Sequence, residues 1–469
     1  MRTTCSRLGG VLLMALVAAC AASTSTGAPA PRVAVAAPSP TAEQPRLAAT
    51  SYPTSTWFAY HRNGARIGDA GSSMPILGGT LRKLWTATLD GAVYGEPILI
   101  GTTTVAVTEN DSVYALSTAT GAVVWKRHLG TPVPLSAQPC GNIDPLGVTS
   151  TPFYDLGTGN LFVVSETTGG VHTLWSLAPT TGAVRWHRTL DGLSSRDRRA
   201  EQQRSALLVI SGRVLVTFGG HAGDCGNYIG YVASVPTSGS GSTRYYAVPS
   251  GREAGIWAPG GPAVGANGAV YVSVGNGSST SRYDGSDSVI TLNPTTLART
   301  AWFAPTTWAD DNARDLDLGS MSPAPVAGKV VIAGKRGIAY LLSPSLGGLG
   351  HQLASLSGCT GFGAAAVRGS VVYLPCTAGV RALRVGTSSL SWAWQRSGVP
   401  GSPVLSGSAV YDLDTQNEKL YELSISTGAV LRSLGLGVAI NRFASPTVAN
   451  GGRTVLVGTM RGVIAVGGS

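Results

Sequence analysis

The chain is expected to fold as an all-β, eight-bladed propeller in which N- and C-terminal strands share the closing blade. Three observations predict this: a recurring hairpin signature, a lead-in segment that recurs with it at regular spacing, and an N-terminal strand that supplies what the last repeat lacks. The hairpin is clearest at 112–129 (S-V-Y-A-L-S-T-A-T-G-A-V-V-W-K-R-H-L) and returns at 174–190 (L-W-S-L-A-P-T-T-G-A-V-R-W-H-R-T-L) and 420–434 (L-Y-E-L-S-I-S-T-G-A-V-L-R-S-L). Each copy reads as an alternating apolar strand, a tight turn closing on Thr-Gly and a second short strand, the glycine supplying the positive φ that the turn needs. Degenerate copies at 289–302, 339–353 and 380–394 keep the alternation and lose the Thr-Gly, and another falls at 231–248.

Small, often Pro-containing lead-ins precede the copies: Glu96-Pro97-Ile98-Leu99, Thr151-Pro152-Phe153, Gly261-Pro262-Ala263-Val264, Ala324-Pro325-Val326, Ser402-Pro403-Val404-Leu405 and Ser445-Pro446-Thr447-Val448. Seven steps from Pro97 to Pro446 give a period of about 50 residues, the length of a four-stranded blade. Residues 445–466 offer three strands, and 81–89 (L-R-K-L-W-T-A-T-L) copies the post-turn strand at 123–129. Pairing the two ends would complete the ring and leave no long edge unpaired. Seven blades is the alternative, because the copy at 231–248 is poor.

Residues 1–19 join Arg2 and Arg7 to an apolar run too short to span a membrane, which reads as a secretory signal peptide. Val17-Ala18-Ala19-Cys20 resembles a bacterial lipobox. That resemblance implies lipidation of Cys20 and a place on the extracellular face of the cell membrane, whereas cleavage without lipidation would give a secreted protein. Residues 20–51, rich in Ala, Pro, Ser and Thr, are expected to form a flexible tether, and 52–469 a single propeller domain.

The net charge of +10 falls to +8 once Arg2 and Arg7 leave with the signal peptide. The excess is spread thinly, with 196–204 (R-D-R-R-A-E-Q-Q-R) the one cluster, and no basic stripe with interleaved aromatics points to nucleic acid. Attraction to anionic lipid or wall polymer accounts for the charge. Outside Cys5 and Cys20, four cysteines remain, and an even number in an exported chain argues for two disulfides. Of three possible pairings, the favoured ones are Cys140–Cys225, between two loops, and Cys359–Cys376, closing one blade's first hairpin. No C-x-x-C or Cys/His cluster suggests zinc or haem.

The stretch A-L-S-T-A-T-G-A-V-V-W at 115–125 resembles the A-x-D-x-x-T-G-x-x-x-W hairpin of pyrroloquinoline quinone (PQQ) type propellers, with Ser117 at the Asp position. Residues 176–186 fit the same frame with Ala178 there, and blade spacing extends the resemblance over about 57–466. It implies that Trp85, Trp125 and Trp186 pack onto neighbouring blades. The segment 57–66 (W-F-A-Y-H-R-N-G-A-R) is similar to the family's W-x-x-x-x-x-D-x-x-R-x-G segment, implying an N-terminal strap.

Catalytic quinoproteins of this family hold PQQ and calcium at the propeller centre. The resemblance implies Glu166, Asn276 and Asp315 as calcium ligands, Asp315 also as the catalytic base, and Trp257 and Lys335 as quinone contacts. Against this, Arg314 replaces the Trp of the family's W-D-x-D, and there is neither an adjacent Cys-Cys pair nor a C-x-x-C-H haem segment. Asn276-Gly277 also suits an ordinary turn, and 335–337 a hairpin tip. His221 reads as a structural loop residue, since no G-x-S-x-G accompanies it, and 412–418 as a polar turn lacking the spacing of an EF-hand.

The expected function is therefore that of a membrane-tethered, non-catalytic binding or scaffold lipoprotein. It would be monomeric and cofactor-free, engaging a protein, wall polymer or small ligand through its loop faces. A similar fold serves the outer-membrane barrel-assembly machinery as a scaffold lipoprotein, while the Ala/Gly/Thr-rich composition and long tether look more like an actinobacterial lipoprotein. The alternative is a calcium- and PQQ-dependent dehydrogenase of alcohols or sugars.

Overall fold

A computed structural model describes residues 56–190, 193 and 195–469. The expected signal peptide, Cys20 and the expected tether lie outside the described residues. Eight antiparallel sheets follow one another round a ring. Blade 1 is built from Ile98–Ile100, Thr103–Thr108, Ser112–Ser117 and Val123–His128. Blades 2 to 7 comprise the strands within 153–189, 201–247, 263–304, 324–357, 366–397 and 404–435.

Blade 8 takes Thr447–Ala449, Thr454–Thr459 and Gly462–Gly468 from the C-terminal end and Leu81–Thr88 from the N-terminal end. Leu81 pairs with Gly468 and Thr88 with Gly462, so the ring closes as the missing outer strand predicts. The weak copy is genuine, because Tyr231–Pro236 pairs with Arg244–Ala247; eight blades form, not seven.

Position in a blade explains composition. A middle strand such as Thr103–Thr108 is covered on both faces by neighbouring blades and is buried almost throughout, whereas the outer strand Val123–His128 buries only Trp125. That tryptophan joins a cross-blade ladder. Trp85 lies on Gly121, Trp125 on Gly182, Trp186 on Gly239 and Trp394 on Gly428, each glycine belonging to the turn of the next blade. The indole N–H of Trp85, Trp125 and Trp394 donates to the carbonyls of Thr118, Pro179 and Ile425 at 3.0, 2.9 and 3.0 Å. The Thr-Gly glycine thus does two jobs: it takes positive φ, and it leaves room for an indole.

Two expectations need correction. In the copy at 339–353 the chain does not turn directly into its outer strand. Gly348–Leu349 instead pairs in parallel with Phe303–Ala304 of blade 4, and the outer strand follows at Ala354–Ser357. With no Thr-Gly turn, three positive-φ glycines (Gly347, Gly348 and Gly350) lead the chain outward. Both disulfides pair as expected, with Cα–Cα distances of 6.1 Å for Cys140–Cys225 and 5.1 Å for Cys359–Cys376. Cys359, however, precedes the first strand of blade 6, so its bridge ties the connection from blade 5 to the second strand of blade 6 instead of closing the first hairpin alone.

Candidate functional site

The strap closes one end of the ring's axis. Leu99, Tyr154, Val264, Val367 and Leu405 donate their backbone N–H groups to the carbonyls of Trp57, Phe58, Gly64, Ile67 and Gly68, so the segment reaches the innermost strands of five blades. Several of its polar groups are satisfied inside, although among the described residues the buried Tyr60 hydroxyl has no hydrogen-bond partner. Trp57 Nε1 and the His61 backbone N–H donate to Glu96, and Arg66 donates to the carbonyls of Pro262 and Leu207 at 3.1 and 2.7 Å. His61 contacts the Ala365 carbonyl at 3.1 Å and Ser445 Oγ at 3.0 Å; burial lowers its pKa to about 3, so the ring is neutral. Tyr60 packs with Ala206 and Ala364 as an apolar plug. Beside the strap, an open groove of about 810 Å³ runs over the inner hairpin tips of blades 2 to 5, walled by Phe58, Phe153, Ile210, Val264, Tyr271 and Val326.

A second cavity, of about 240 Å³, contains Trp257, Asp315 and Lys335 together with Arg204, the loop His221–Asp224, Ser320, Phe362 and Phe443. Three of the residues singled out by resemblance therefore meet. Trp257 lies among backbone glycines: a Cβ on Gly255 or Gly275 would fall 2.3 or 2.5 Å from its ring. Lys335 Nζ sits 2.6 Å from both Asp315 Oδ1 and Asp317 Oδ2. Burial pulls the lysine's pKa down, but the two carboxylates outweigh it and hold it above its ordinary value. Burial pushes Asp317 up to about 6, with Lys335 opposing the shift.

Glu166 and Asn276 do not line this cavity. Glu166 lies 3.2 Å from His172 Nε2 and 3.9 Å from His221 Nε2, and Asn276 accepts from the Ala254 N–H through its main-chain oxygen while its buried side-chain oxygen has no partner. The proposed calcium donors are thus divided: Asp315 faces a lysine and Glu166 faces histidines. Among the described residues no group of three or more His, Cys, Asp or Glu is placed to hold a metal ion. Trp257 offers an aromatic face and Lys335 a cation, but the donor set for a calcium-bound quinone does not assemble.

Sequence reasoning missed the centre of the cavity. The Arg204 guanidinium stands 4.2 Å from the Phe443 ring centroid and that of Arg442 4.1 Å from Phe362, and the two rings are 6.5 Å apart. It also missed two buried acids in the turn that joins the second and third strands of blade 1. Glu109 Oε2 accepts from the Gly147 N–H at 2.9 Å and from Thr149 Oγ1 at 3.1 Å. Burial, reinforced by neighbouring carboxylates, pushes Glu109 up to about 8 and Asp111 up to about 9. The run T-E-N-D-S at 108–112, polar where blade strands are apolar, was the available signal.

Residues 79–273 match the family model described as outer membrane protein assembly factor BamB. No curated protein matches. Among solved structures, the chain is similar to the quinohemoprotein alcohol dehydrogenase of Comamonas testosteroni, at 16% identity and TM-score 0.67, over 88% of this chain and 81% of that one. A europium-containing methanol dehydrogenase matches at 15% identity and TM-score 0.67, over 88% and 98% of the two chains. BamB of Moraxella catarrhalis matches at 16% identity and TM-score 0.57, over 82% and 99%. The recurrent Thr-Gly and Trp ladder, the eight closed blades and these likenesses give the chain an eight-bladed β-propeller fold similar to that of the quinoprotein dehydrogenases and of BamB.

Proposed function

We propose that the chain is a non-catalytic binding or scaffold propeller, exported and held at the extracellular face of the membrane through Cys20. The observation that carries this reading is the ion cluster of Lys335 with Asp315 and Asp317. The carboxylate that a quinoprotein would keep as a proton acceptor is here neutralised by the cation that would contact the quinone. The division of the calcium donors and the match to a BamB family model point the same way, and the open groove beside the strap offers a protein or polymer a face to bind. One observation favours a dehydrogenase of alcohols or sugars: Trp257, Asp315 and Lys335 do share a cavity.

Incubating the purified protein with calcium and PQQ decides between the two. The scaffold reading expects the quinone absorbance to wash away and no alcohol- or sugar-dependent dye reduction. Quinone that stays with the protein and supports dye reduction would overturn it. A pull-down from membranes then identifies the partner.

A further inference from the structure

We propose that the groove beside the strap binds an extended, apolar segment of a partner protein, which adds as a strand to the innermost strand of blade 3 and sets one acidic side chain on Lys329. The proposal deepens the reading of the chain as a binding propeller and rests on it.

The strap shows how this ring holds an extended chain. Where an innermost strand turns into its neighbour through a two-residue loop, the residues flanking the loop bond each other, and the next pair inward points its N–H and C=O groups away from that neighbour. In blade 1 that residue is Leu99, opposite Thr104, and it donates to the Trp57 carbonyl at 2.8 Å. In blade 7 it is Leu405, which donates to the Gly68 carbonyl at 2.7 Å and accepts from the Ala70 N–H at 2.8 Å, as one strand of a sheet does with the next. Of the blades that border the groove, 2 and 4 spend the same donor on the strap, through Tyr154 and Val264 at 2.9 Å each. Blade 5 has none, because Pro325 stands at that position. Blade 3 has Val209 there, between the pairs Leu208–Leu215 and Ile210–Arg213, and Val209 lines the groove half-buried. Among the described residues neither its N–H nor its carbonyl has a hydrogen-bond partner.

An unspent N–H and C=O on one residue, directed as in a sheet, match another polypeptide backbone. The walls set the rest of the occupant's chemistry. Phe58 and Phe153 meet edge to face with 5.6 Å between ring centroids, and Tyr271 and Val326 stand in blades 4 and 5, so apolar side chains on alternate residues of an added strand find cover. Among the described residues two charged side chains line the groove, Asp155 in blade 2 and Lys329 in blade 5. Asp155 is spent on its own turn, accepting from the Gly157 and Thr158 N–H groups at 3.2 Å each and from Thr158 Oγ1 at 2.6 Å. The Lys329 ammonium makes no hydrogen bond or ion pair among the described residues. A carboxylate on the incoming segment is therefore drawn to the blade 5 end and repelled from the blade 2 end, which fixes the direction in which the segment lies.

Amide hydrogen exchange of the full chain, resolved to single residues, tests the free edge. In the protein alone Val209 should exchange at least about tenfold faster than Leu99, Tyr154 and Val264, whose amides are bonded to the strap. The probe for the groove is a fluorescein-labelled, amidated heptapeptide that alternates valine with threonine and carries one glutamate. Saturable binding is expected by fluorescence anisotropy, with Val209 exchange slowed at least about tenfold in the complex. The same peptide N-methylated on alternate residues keeps its side chains and loses the pairing donors, so it should bind at least about tenfold more weakly, and Val209→Pro should weaken binding similarly. Lys329→Gln, or glutamine in place of the peptide's glutamate, should cost about threefold at low salt and less at high salt. Absence of saturable binding to the folded protein, binding that leaves Val209 exchange unchanged, equal affinity of the N-methylated peptide, or no effect of Lys329→Gln at low salt would overturn the proposal. A Val209 amide as protected as Leu99 in the protein alone would do the same. If Val209→Pro does not fold, the N-methylated peptide and the exchange measurement on the unaltered protein still decide it. None of these measurements involves quinone or calcium, so their failure is distinguishable from failure of the non-catalytic reading.

Discussion

Replacing Gly182 by alanine tests whether the cross-blade ladder contributes to stability. Gly182 sits at φ +66°, and a Cβ there would fall 2.5 Å from Cε3 and 2.8 Å from Cζ3 of Trp125. Two separable costs follow. A left-handed backbone costs a non-glycine residue about 1–2 kcal/mol. The methyl must also displace the indole, weakening its packing over blade 2 and its 2.9 Å bond to the Pro179 carbonyl, for about 1–2 kcal/mol more. Gly182→Ala alone should therefore destabilise by about 2–4 kcal/mol. In a Trp125→Ala background the displacement cost disappears and only the backbone term remains, so the coupling between the two sites should be about 1–2 kcal/mol. Arg127 Nε donates to the Gly182 carbonyl at 2.8 Å in either background and cancels from the cycle. Urea midpoints of the four proteins, compared at a common slope, measure the effect. An equal cost for Gly182→Ala with and without the indole would refute the ladder argument.

Three further outcomes are expected. A chain beginning at Gly91 lacks Leu81–Thr88 and exposes the edge of Gly462–Gly468, so its melting temperature should fall for the whole ring; an unchanged value would contradict the shared closing blade. Glu109 and Asp111 hold protons in the folded chain that the unfolded chain releases at ordinary carboxylate pKa values, so the folded state binds more protons and their contribution to stability is lost as pH rises from about 5 to 9. Glu109→Gln should flatten that decline, and an identical pH slope in the variant would count against it. Cys20→Ser should move the protein from the membrane to the soluble or unprocessed fraction, and unchanged membrane partitioning would remove the anchor from the proposal.

The features legible in advance share one property: each is written within a short stretch of chain. The Thr-Gly turn at 181–182, the strand alternation at 112–117 and the position of Trp125 need only near neighbours to be interpreted. The closing blade was legible because Leu81–Thr88 copies an outer strand and the last repeat lacks one. Degenerate stretches were less informative. Without a turn motif, nothing local announced that Gly348–Leu349 would leave its own blade to pair with blade 4.

The candidate site was read only by analogy, and its internal balance was not legible at all. Trp257, Asp315 and Lys335 were named from resemblance, whereas Asp317, which pairs with the same lysine, was not. Arg204 comes from the lead-in to blade 3 and Phe443 from the lead-in to blade 8; no periodicity links them, and they meet because the ring brings both segments to its axis. Local sequence by itself determined the hairpins and the strand that closes the ring, since turn conformation and strand alternation are short-range properties, while the pairing of Tyr231–Pro236 with Arg244–Ala247 decided eight blades over seven. Only the tertiary structure decided which charges face each other on the axis, because burial and pairing there depend on how eight separate sheets converge.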